Sequence, residues 1–206
     1  SPHRSRRQPL ARSHAMAAAR ALSGAVLAML LLPSLAQAQF MVLWGNNANG
    51  QVSPAPSGSD FVQVAGGGNH SLALRANGSI VSWGSDWYQQ VSGTPIGTDF
   101  VQVAGGGNHS LAIRSNGSIV SWGDDTYGQV TNTPIGMDFV EVAGGGLSSL
   151  ALRSDGSIVS WGRDYYGQVT NTPVGTGFVQ VNGGVYHSLA WRSDGSIASR
   201  GGGYFG

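Results

Sequence analysis

The sequence predicts an all-β fold, specifically a β-propeller, and three observations lead to this prediction. Glycine fills 33 of the 206 positions, which disfavours long helices because glycine costs about 1 kcal/mol per helical position relative to alanine. Short β-branched runs alternate with turn-forming dipeptides, as in antiparallel sheets. A unit of 39 residues recurs along most of the chain. Stacked units of this kind cover each other's apolar faces, and their radial repetition gives a propeller; a β-solenoid is the alternative.

The N-terminal segment has the pattern of an export signal. Met16 begins a short segment with one arginine, an apolar run follows, and Ala36-Gln37-Ala38 matches a small-residue cleavage site. This is the order of regions in a secretory signal peptide. We therefore predict an upstream extension at 1–15, a signal at 16–38, and cleavage between Ala38 and Gln39. The apolar run is too short to span a bilayer, so the mature chain is expected outside the cell or in the periplasm, without a membrane span.

Residues 39–206 are predicted to form one series of propeller repeats. The same strand of the unit occurs at both ends of this series, at Met41–Gly45 and Ile197–Gly201. We therefore expect an incomplete or open ring of about four blades, and open strand edges favour self-association. The predicted boundaries are 40–60 (partial), 61–99, 100–138, 139–177 and 178–206 (truncated).

Each repeat predicts three short antiparallel strands and allows a fourth. In the second complete repeat these are Phe100–Ala104, Ser110–Arg114 and Ile119–Trp122, the middle one alternating large apolar with small or polar residues. The pair Asn77-Gly78, with its equivalents in the other repeats, predicts a type I′ hairpin turn between the second and third strands. Residues 128–134 could add a short edge strand, where a proline is tolerated.

Charge and composition exclude several classes of function. From Gln39 onward the chain has 6 arginines, no lysine and 10 acidic residues, which gives a net charge of −4. Nucleic-acid binding needs a positive surface for the phosphate backbone, so we predict that this chain does not bind nucleic acid. The absence of cysteine in the sequence excludes disulfide bonds.

The recurring glycine runs and histidines do not predict catalysis, a cofactor or a metal site. A phosphate-binding loop needs a helix N-terminus or a lysine behind its glycines, and the sequence has neither. The histidine series of His70, His109 and His187 is interrupted by Ser148, and no carboxylate recurs beside it as a catalytic triad requires. We interpret these histidines as hydrogen-bonding the backbone of the blade, and the protein as one that is not an enzyme.

The loop after each Trp-Gly pair varies most between repeats and is the candidate binding surface. Exposed Trp and Tyr on the loops of a rigid scaffold are typical of protein-binding hot spots. Trp87 and Tyr165 stand where other repeats have Ala48 and Thr126, so packing does not require them. For the tyrosines that keep one register, packing against the neighbouring blade is the competing interpretation. The candidate partner-binding residues are Asp86, Trp87, Tyr88, Asp125, Tyr127, Asp164, Tyr165, Tyr166 and Tyr204. The position before each histidine, which is Tyr186 in the last repeat, is a further candidate for this surface.

The unit V-A-G-G-G-x-H-S-L-A-L-R-S-D-G-S-I-V-S-W-G, followed by Y-G-Q, resembles the regulator of chromosome condensation repeat. The resemblance extends from Leu43 to Gly206. The short period and the export signal make the chain most similar to the bacterial secreted branch of that family, which includes propeller-type β-lactamase inhibitors. This resemblance implies a propeller whose loop aromatics and acids contact a partner protein.

We therefore expect a non-catalytic, protein-binding scaffold whose partner is an extracellular or envelope protein. The alternative is a carbohydrate- or cell-wall-binding propeller, because the same aromatics can stack on sugar rings. That alternative predicts several weak and equivalent sites, one for each blade.

Overall fold

The computed structural model describes residues 41–202, and the regular structure within that range is entirely β. The predicted signal peptide, its cleavage site at Ala38 and Gln39, and Tyr204 lie outside the described residues. The strands are β1 Phe61–Gly66, β2 His70–Arg75, β3 Ile80–Gly84, β4 Phe100–Gly105, β5 His109–Arg114, β6 Ile119–Gly123, β7 Phe139–Gly144, β8 Ser148–Arg153, β9 Ile158–Gly162, β10 Phe178–Gly183, β11 His187–Arg192 and β12 Ile197–Gly201.

The strands form four antiparallel sheets of three, one for each repeat, which we number 1 to 4 along the chain. In every sheet the strands lie in sequence order, and the first strand begins with a bulge. The three predicted strands of each repeat are confirmed, with one glycine or histidine added at some ends. The optional fourth strand does not form, because residues 128–134 fold into turns: the Asn132 amide donates to the Gly128 carbonyl and the Thr133 amide to that of Val130.

The turn between the second and third strands is not the type I′ turn predicted from its Asn-Gly or Asp-Gly pair. Gly78 has a φ of +81°, but Gln89 is the one non-glycine residue with positive φ among residues 41–202. The Gly78 amide donates to the Arg75 carbonyl and the Arg75 amide to that of Ser79, which is a three-residue loop ending in a left-handed glycine. Asn77 acts through its side chain instead, since its Oδ1 accepts the Ser79 amide at 2.9 Å.

Consecutive sheets are joined by three hydrophobic clusters, and we call each such contact a junction. At junction 1 the side chains of Leu72, Leu74 and Ile80 pack against Phe100, Val103, Ala112 and Trp122 of the next sheet. The equivalent residues form junctions 2 and 3. The strands are short, so the apolar face of one sheet is covered by its neighbour, as in repeat proteins generally.

Sheet 4 shows the same face without a covering sheet among the described residues. Leu189, Trp191 and Ile197 are 37%, 49% and 71% exposed, whereas their equivalents Leu72, Leu74 and Ile80 are 0%, 3% and 9% exposed. They line an open groove of about 330 Å³ together with Gln180, Val181, Asn182 and Ala190. The difference measures how much burial each sheet obtains from the next.

Repeated hydrogen bonds reinforce junctions 1 and 2. The imidazoles of His70 and His109 each contact the hydroxyl of a serine in the next sheet, Ser110 and Ser149, at 2.8 Å. The prediction that these histidines hydrogen-bond the backbone of their own blade was therefore wrong for His70 and His109, because each ring contacts a serine side chain across the junction. The indoles of Trp122 and Trp161 donate to the backbone carbonyls of Gln90 and Gln129 in the preceding repeat. These polar contacts fix the register in which the apolar faces meet.

Junction 3 lacks both types of hydrogen bond. Ser148 stands at the histidine position, and the hydroxyl of Ser188, its expected partner, is buried without one. Arg200 replaces the tryptophan that would donate to the carbonyl of Gln168. A small cavity of about 10 Å³ lies at this place, and its lining includes Ser160, Gln168, Ser188 and Arg200. Junction 3 therefore depends on its apolar contacts and on fewer polar ones, among them the bond from the Gly146 amide to the Gly184 carbonyl at 3.1 Å.

We predict that Ser148→His and Arg200→Trp each increase the free energy of unfolding by about 1 kcal/mol, the typical net value of one buried hydrogen bond. The His109 ring packs so closely on Gly106 that a Cβ atom at this glycine would lie 2.1 Å from it. The equivalent residue of the next repeat, Gly145, is also a glycine, so an imidazole at position 148 would not meet a Cβ there. Urea unfolding measures the change. His109→Ser is the reverse control and should be destabilising; a Ser148→His variant no more stable than the wild type would contradict the explanation of junction 3.

We also predict a loss of stability on acidification between pH 6.5 and about 4. Burial lowers the pKa of His70 to about 4, and burial together with the nearby His70 lowers the pKa of His109 to about 4. The unfolded state binds the proton first as the pH falls, so the free energy of unfolding decreases across this interval, by at most about 3 kcal/mol per histidine. Urea unfolding at each pH tests this. The free energy of unfolding should fall less steeply with decreasing pH in His109→Ser, and an equal slope would contradict the assignment. Burial raises the pKa of Glu141, so protonation of this residue stabilises the folded state and opposes the effect of the histidines at the acidic end of the interval.

Candidate functional site

The variable loops that follow β3, β6 and β9 lie at the same end of their sheets as the turns preceding β2, β5 and β8. The Ser85 amide donates to the Asn69 carbonyl at 2.9 Å, and the same bond joins Asp124 to Asn108 and Arg163 to Leu147. The Gly202 amide makes the equivalent bond to Tyr186. The residue before each histidine position is therefore adjacent to the variable loop of its own repeat.

The loop aspartates support the fold of their loops. The carboxylates of Asp86, Asp125 and Asp164 each accept hydrogen bonds from the backbone amides five and six residues further on, at 2.7–3.0 Å. The bond from Ser92 is the main reason that the pKa of Asp86 is lowered. Partial burial opposes this effect at Asp125 and Asp164, yet the backbone bonds still lower their pKa. Each carboxylate thus has a structural role, and a partner contact by these residues stays a prediction.

A buried glutamine anchors each loop to the sheets, a role that the sequence patterns did not reveal. The Gln90 side chain accepts the Tyr88 amide at 2.8 Å, while its backbone carbonyl accepts the Trp122 indole of the next repeat. Gln129 and Gln168 accept the amides of Tyr127 and Tyr166 in the same way. The sequence signal for this role is the recurrence of glutamine every 39 residues, at Gln51, Gln90, Gln129 and Gln168.

The aromatic side chains of these loops differ in exposure. Trp87 and Tyr165 are 87% and 70% exposed, whereas Tyr88 and Tyr127 are about half-exposed and Tyr166 is partly buried. This ranking agrees with the sequence argument that packing does not require Trp87 and Tyr165. It leaves their contact with a partner a prediction.

Several of these residues meet across repeats in one group, the aromatic cluster. The ring of Tyr166 packs edge-on against Tyr165, with centroids 4.8 Å apart, and against Tyr186 of the next repeat, with centroids 5.3 Å apart. The guanidinium of Arg163 lies 5.0 Å from the ring centroid of Tyr127 and 5.3 Å from that of Tyr165. The aromatic cluster is Tyr127, Arg163, Tyr165, Tyr166 and Tyr186.

Sequence reasoning identified four members of this cluster but did not select Arg163. The histidine-preceding position, represented by Tyr186, does belong to the same surface. Trp87 and Tyr88 make no ring contact with the cluster within residues 41–202. Over the same range, no three His, Asp or Glu side chains approach closely enough to hold a metal ion, and no helix has the length and apolarity needed to cross a membrane.

Comparisons with known proteins identify the repeat. Residues 61–90, 100–129 and 139–168 match the model of the Regulator of chromosome condensation (RCC1) repeat. No curated protein sequence matches the chain.

Solved structures show the same fold. The ectodomain of the receptor kinase CR4 from Physcomitrella patens is similar with 24% identity and a TM-score of 0.66, over 79% of this chain and 47% of that one. Yeast RCC1 (Prp20), crystallised with Kap60, has 25% identity and a TM-score of 0.62, over 73% and 45%. Human WBSCR16 has 23% identity and a TM-score of 0.57, over 68% and 47%. The chain spans about half the length of these structures, and the predicted propeller architecture with about four blades is confirmed.

We predict that Asp125→Ala lowers the free energy of unfolding by about 1–2 kcal/mol, because it leaves the amides of Val130 and Thr131 without their acceptor. Asp125→Asn keeps a carbonyl oxygen at the same place and should cost less than half as much. Thermal unfolding of the two variants and the wild type measures the difference. Equal losses in both variants would show that the carboxylate does not act as this hydrogen-bond acceptor.

Proposed function

We propose that this chain, which carries three repeats of the regulator of chromosome condensation type in a propeller fold, is an exported scaffold that binds another protein through its variable loops. The observation that carries the proposal is the contrast between anchored loops and exposed aromatic tips. The loops are held in place by hydrogen bonds to the carboxylates of Asp86, Asp125 and Asp164 and to buried glutamines. Trp87 and Tyr165 nevertheless project into solvent.

Rigid aromatic side chains on a fixed frame are well suited to protein recognition. Each Trp or Tyr removes a large apolar area from water when it is covered, and little conformational entropy is lost because the loop is already ordered. Repeat propellers of this type also serve as protein-binding folds elsewhere: yeast RCC1, to which this chain is similar, has been crystallised bound to Kap60. We infer a protein partner of a different kind here, since the predicted signal at 16–38 directs this chain to an extracellular or envelope location.

The distribution of the aromatics favours a protein over a glycan. A carbohydrate-binding propeller would repeat one site in each blade, whereas these loops differ in sequence from repeat to repeat. The aromatic cluster joins residues of three successive repeats into one surface. A single composite surface suits one partner of irregular shape. The export signal and short period also lead us to propose the bacterial secreted branch as the origin of the chain.

We predict that Trp87→Ala and Tyr165→Ala each weaken partner binding by more than tenfold without changing the melting temperature. The reason is that both side chains are mostly exposed, and the contacts of Tyr165 with Tyr166 and Arg163 lie at the surface, while exposed aromatic residues often dominate binding energy. The immobilised chain would be used to isolate a partner from the extracellular or envelope fraction. The purified partner would then be titrated against each variant by calorimetry.

Ile96→Ala is the matched control for this experiment. Ile96 is 99% exposed but lies away from the variable loops. Its segment passes the β2–β3 turn, where the Thr98 carbonyl approaches Gly78. Its removal should leave the affinity unchanged. If the two loop variants bind as tightly as the wild type, or if Ile96→Ala weakens binding equally, the variable loops are not the binding surface.

A further inference from the structure

Arg163 is held in the aromatic cluster by rings from two successive repeats. Its guanidinium lies 5.0 Å from the Tyr127 ring centroid and 5.3 Å from that of Tyr165. The equivalent positions of the preceding repeats are Ser85 and Asp124. The fold therefore does not require an arginine at this place.

Three of the other four cation–π arginines have a different environment. Arg114 and Arg153 each lie over a phenylalanine of their own sheet and form an ion pair with Asp99 or Asp138; Arg75 does the same with Phe61 and Asp60. These arginines stabilise the start of the first strand. Each of these three guanidinium groups already has a carboxylate partner within the chain. The fourth, Arg192, lies 4.1 Å from the Phe178 ring centroid and has no ion pair among the described residues, because Gly177 stands where the other repeats have an aspartate.

Arg163 has no such acceptor. Within residues 41–202 its guanidinium makes no ion pair and no hydrogen bond, although it is partly buried between the two rings. The carboxylates of the two loops that meet at this cluster, Asp124, Asp125 and Asp164, each accept hydrogen bonds from groups of their own loop. The N–H donors of Arg163 therefore have no acceptor among residues 41–202 and are available to a partner.

The chemistry of that group follows from the geometry of the guanidinium and the charge of the chain. Contacts with two rings limit the movement of the guanidinium, and its planar fork matches a carboxylate with two parallel hydrogen bonds. The chain from Gln39 onward has a net charge of −4, which disfavours a polyanionic partner. The guanidinium geometry, the neighbouring tyrosines and the negative net charge together favour a ligand with one carboxylate flanked by apolar residues.

We propose that Arg163 determines the specificity of the aromatic cluster by binding a single Asp or Glu carboxylate on a segment of the partner protein. Tyr165 and Tyr186, both more than half exposed, pack on the apolar residues beside that carboxylate. This inference rests on the proposed function, because it assumes that the cluster meets a protein segment. It adds which chemical group of that segment is recognised.

A peptide array tests the assignment. Its members are hexapeptides with one central Asp or Glu flanked by aromatic and aliphatic residues, and each is paired with the Asn or Gln version of the same sequence. A third set carries phosphoserine at the central position. The full chain is tested as the wild type, Arg163→Ala and Arg163→Lys, with Arg200→Gln as a control that removes one positive charge from an exposed residue outside the cluster.

The wild type and Arg200→Gln should bind the acidic peptides at least tenfold more tightly than their amide partners. Arg163→Ala should abolish this preference but retain weak binding to both versions through the tyrosines. Arg163→Lys should keep only a small part of the preference, since an ammonium lacks the planar fork. Unchanged melting temperatures confirm that the variants are folded.

Four results would overturn the assignment. If the wild type binds acidic and amide peptides equally, or if Arg163→Ala keeps the tenfold preference, Arg163 does not select a carboxylate, while the proposed protein-binding function stands. If the phosphoserine set is preferred to the carboxylate set, the recognised anion is a phosphate. If no peptide binds the wild type, the inference fails together with the assignment of the cluster as a protein-binding surface.

Discussion

Each three-stranded sheet of this protein depends on the next sheet along the chain to cover its apolar face. Leu72 is completely buried at junction 1, whereas its equivalent Leu189 in sheet 4 is 37% exposed. A single sheet has too few residues to bury both faces, so the stability of the fold resides largely in the contacts between repeats. The polar contacts at junctions 1 and 2 add to this constraint, because the histidine–serine and tryptophan–carbonyl bonds there connect repeats whose sheets already meet.

A consequence is that a substitution in one repeat changes the hydrogen bonding of the adjacent repeat. The change of histidine to Ser148 removes a hydrogen bond, but the group left without a partner is the hydroxyl of Ser188 in the following sheet. In the same way, Arg200 deprives the carbonyl of Gln168, one repeat earlier, of an indole donor. Stability is thus distributed unevenly along the chain even though the sheets are nearly identical in topology.

The repeat period predicted the strands and the covering of one apolar face by the next sheet, because both depend on positions that recur every 39 residues. The turn type was missed, because Asn77-Gly78 is compatible with two hairpin loops and the bulged one places Asn77 in an ordinary conformation. The hydrogen-bond partner of His70, Ser110, is 40 residues away, which is one residue more than the repeat period. Sequence order alone does not show which neighbouring strand faces this histidine. Arg163 could not be selected, because its role arises from contacts with Tyr127 of the preceding repeat and with the non-repeating Tyr165, and only the fold brings these rings near its guanidinium.

The division between repeated and variable residues explains how one frame can carry a specific surface. Loop shape is determined by the aspartate–amide and glutamine–amide bonds, so the remaining loop side chains can change without loss of the fold. The aromatic cluster uses this freedom across repeats, since the contact of Tyr166 with Tyr186 spans junction 3, where the histidine and tryptophan bonds are missing. A partner that covers both rings binds only the docked arrangement of sheets 3 and 4, and by mass action it stabilises the weakest junction of the described chain.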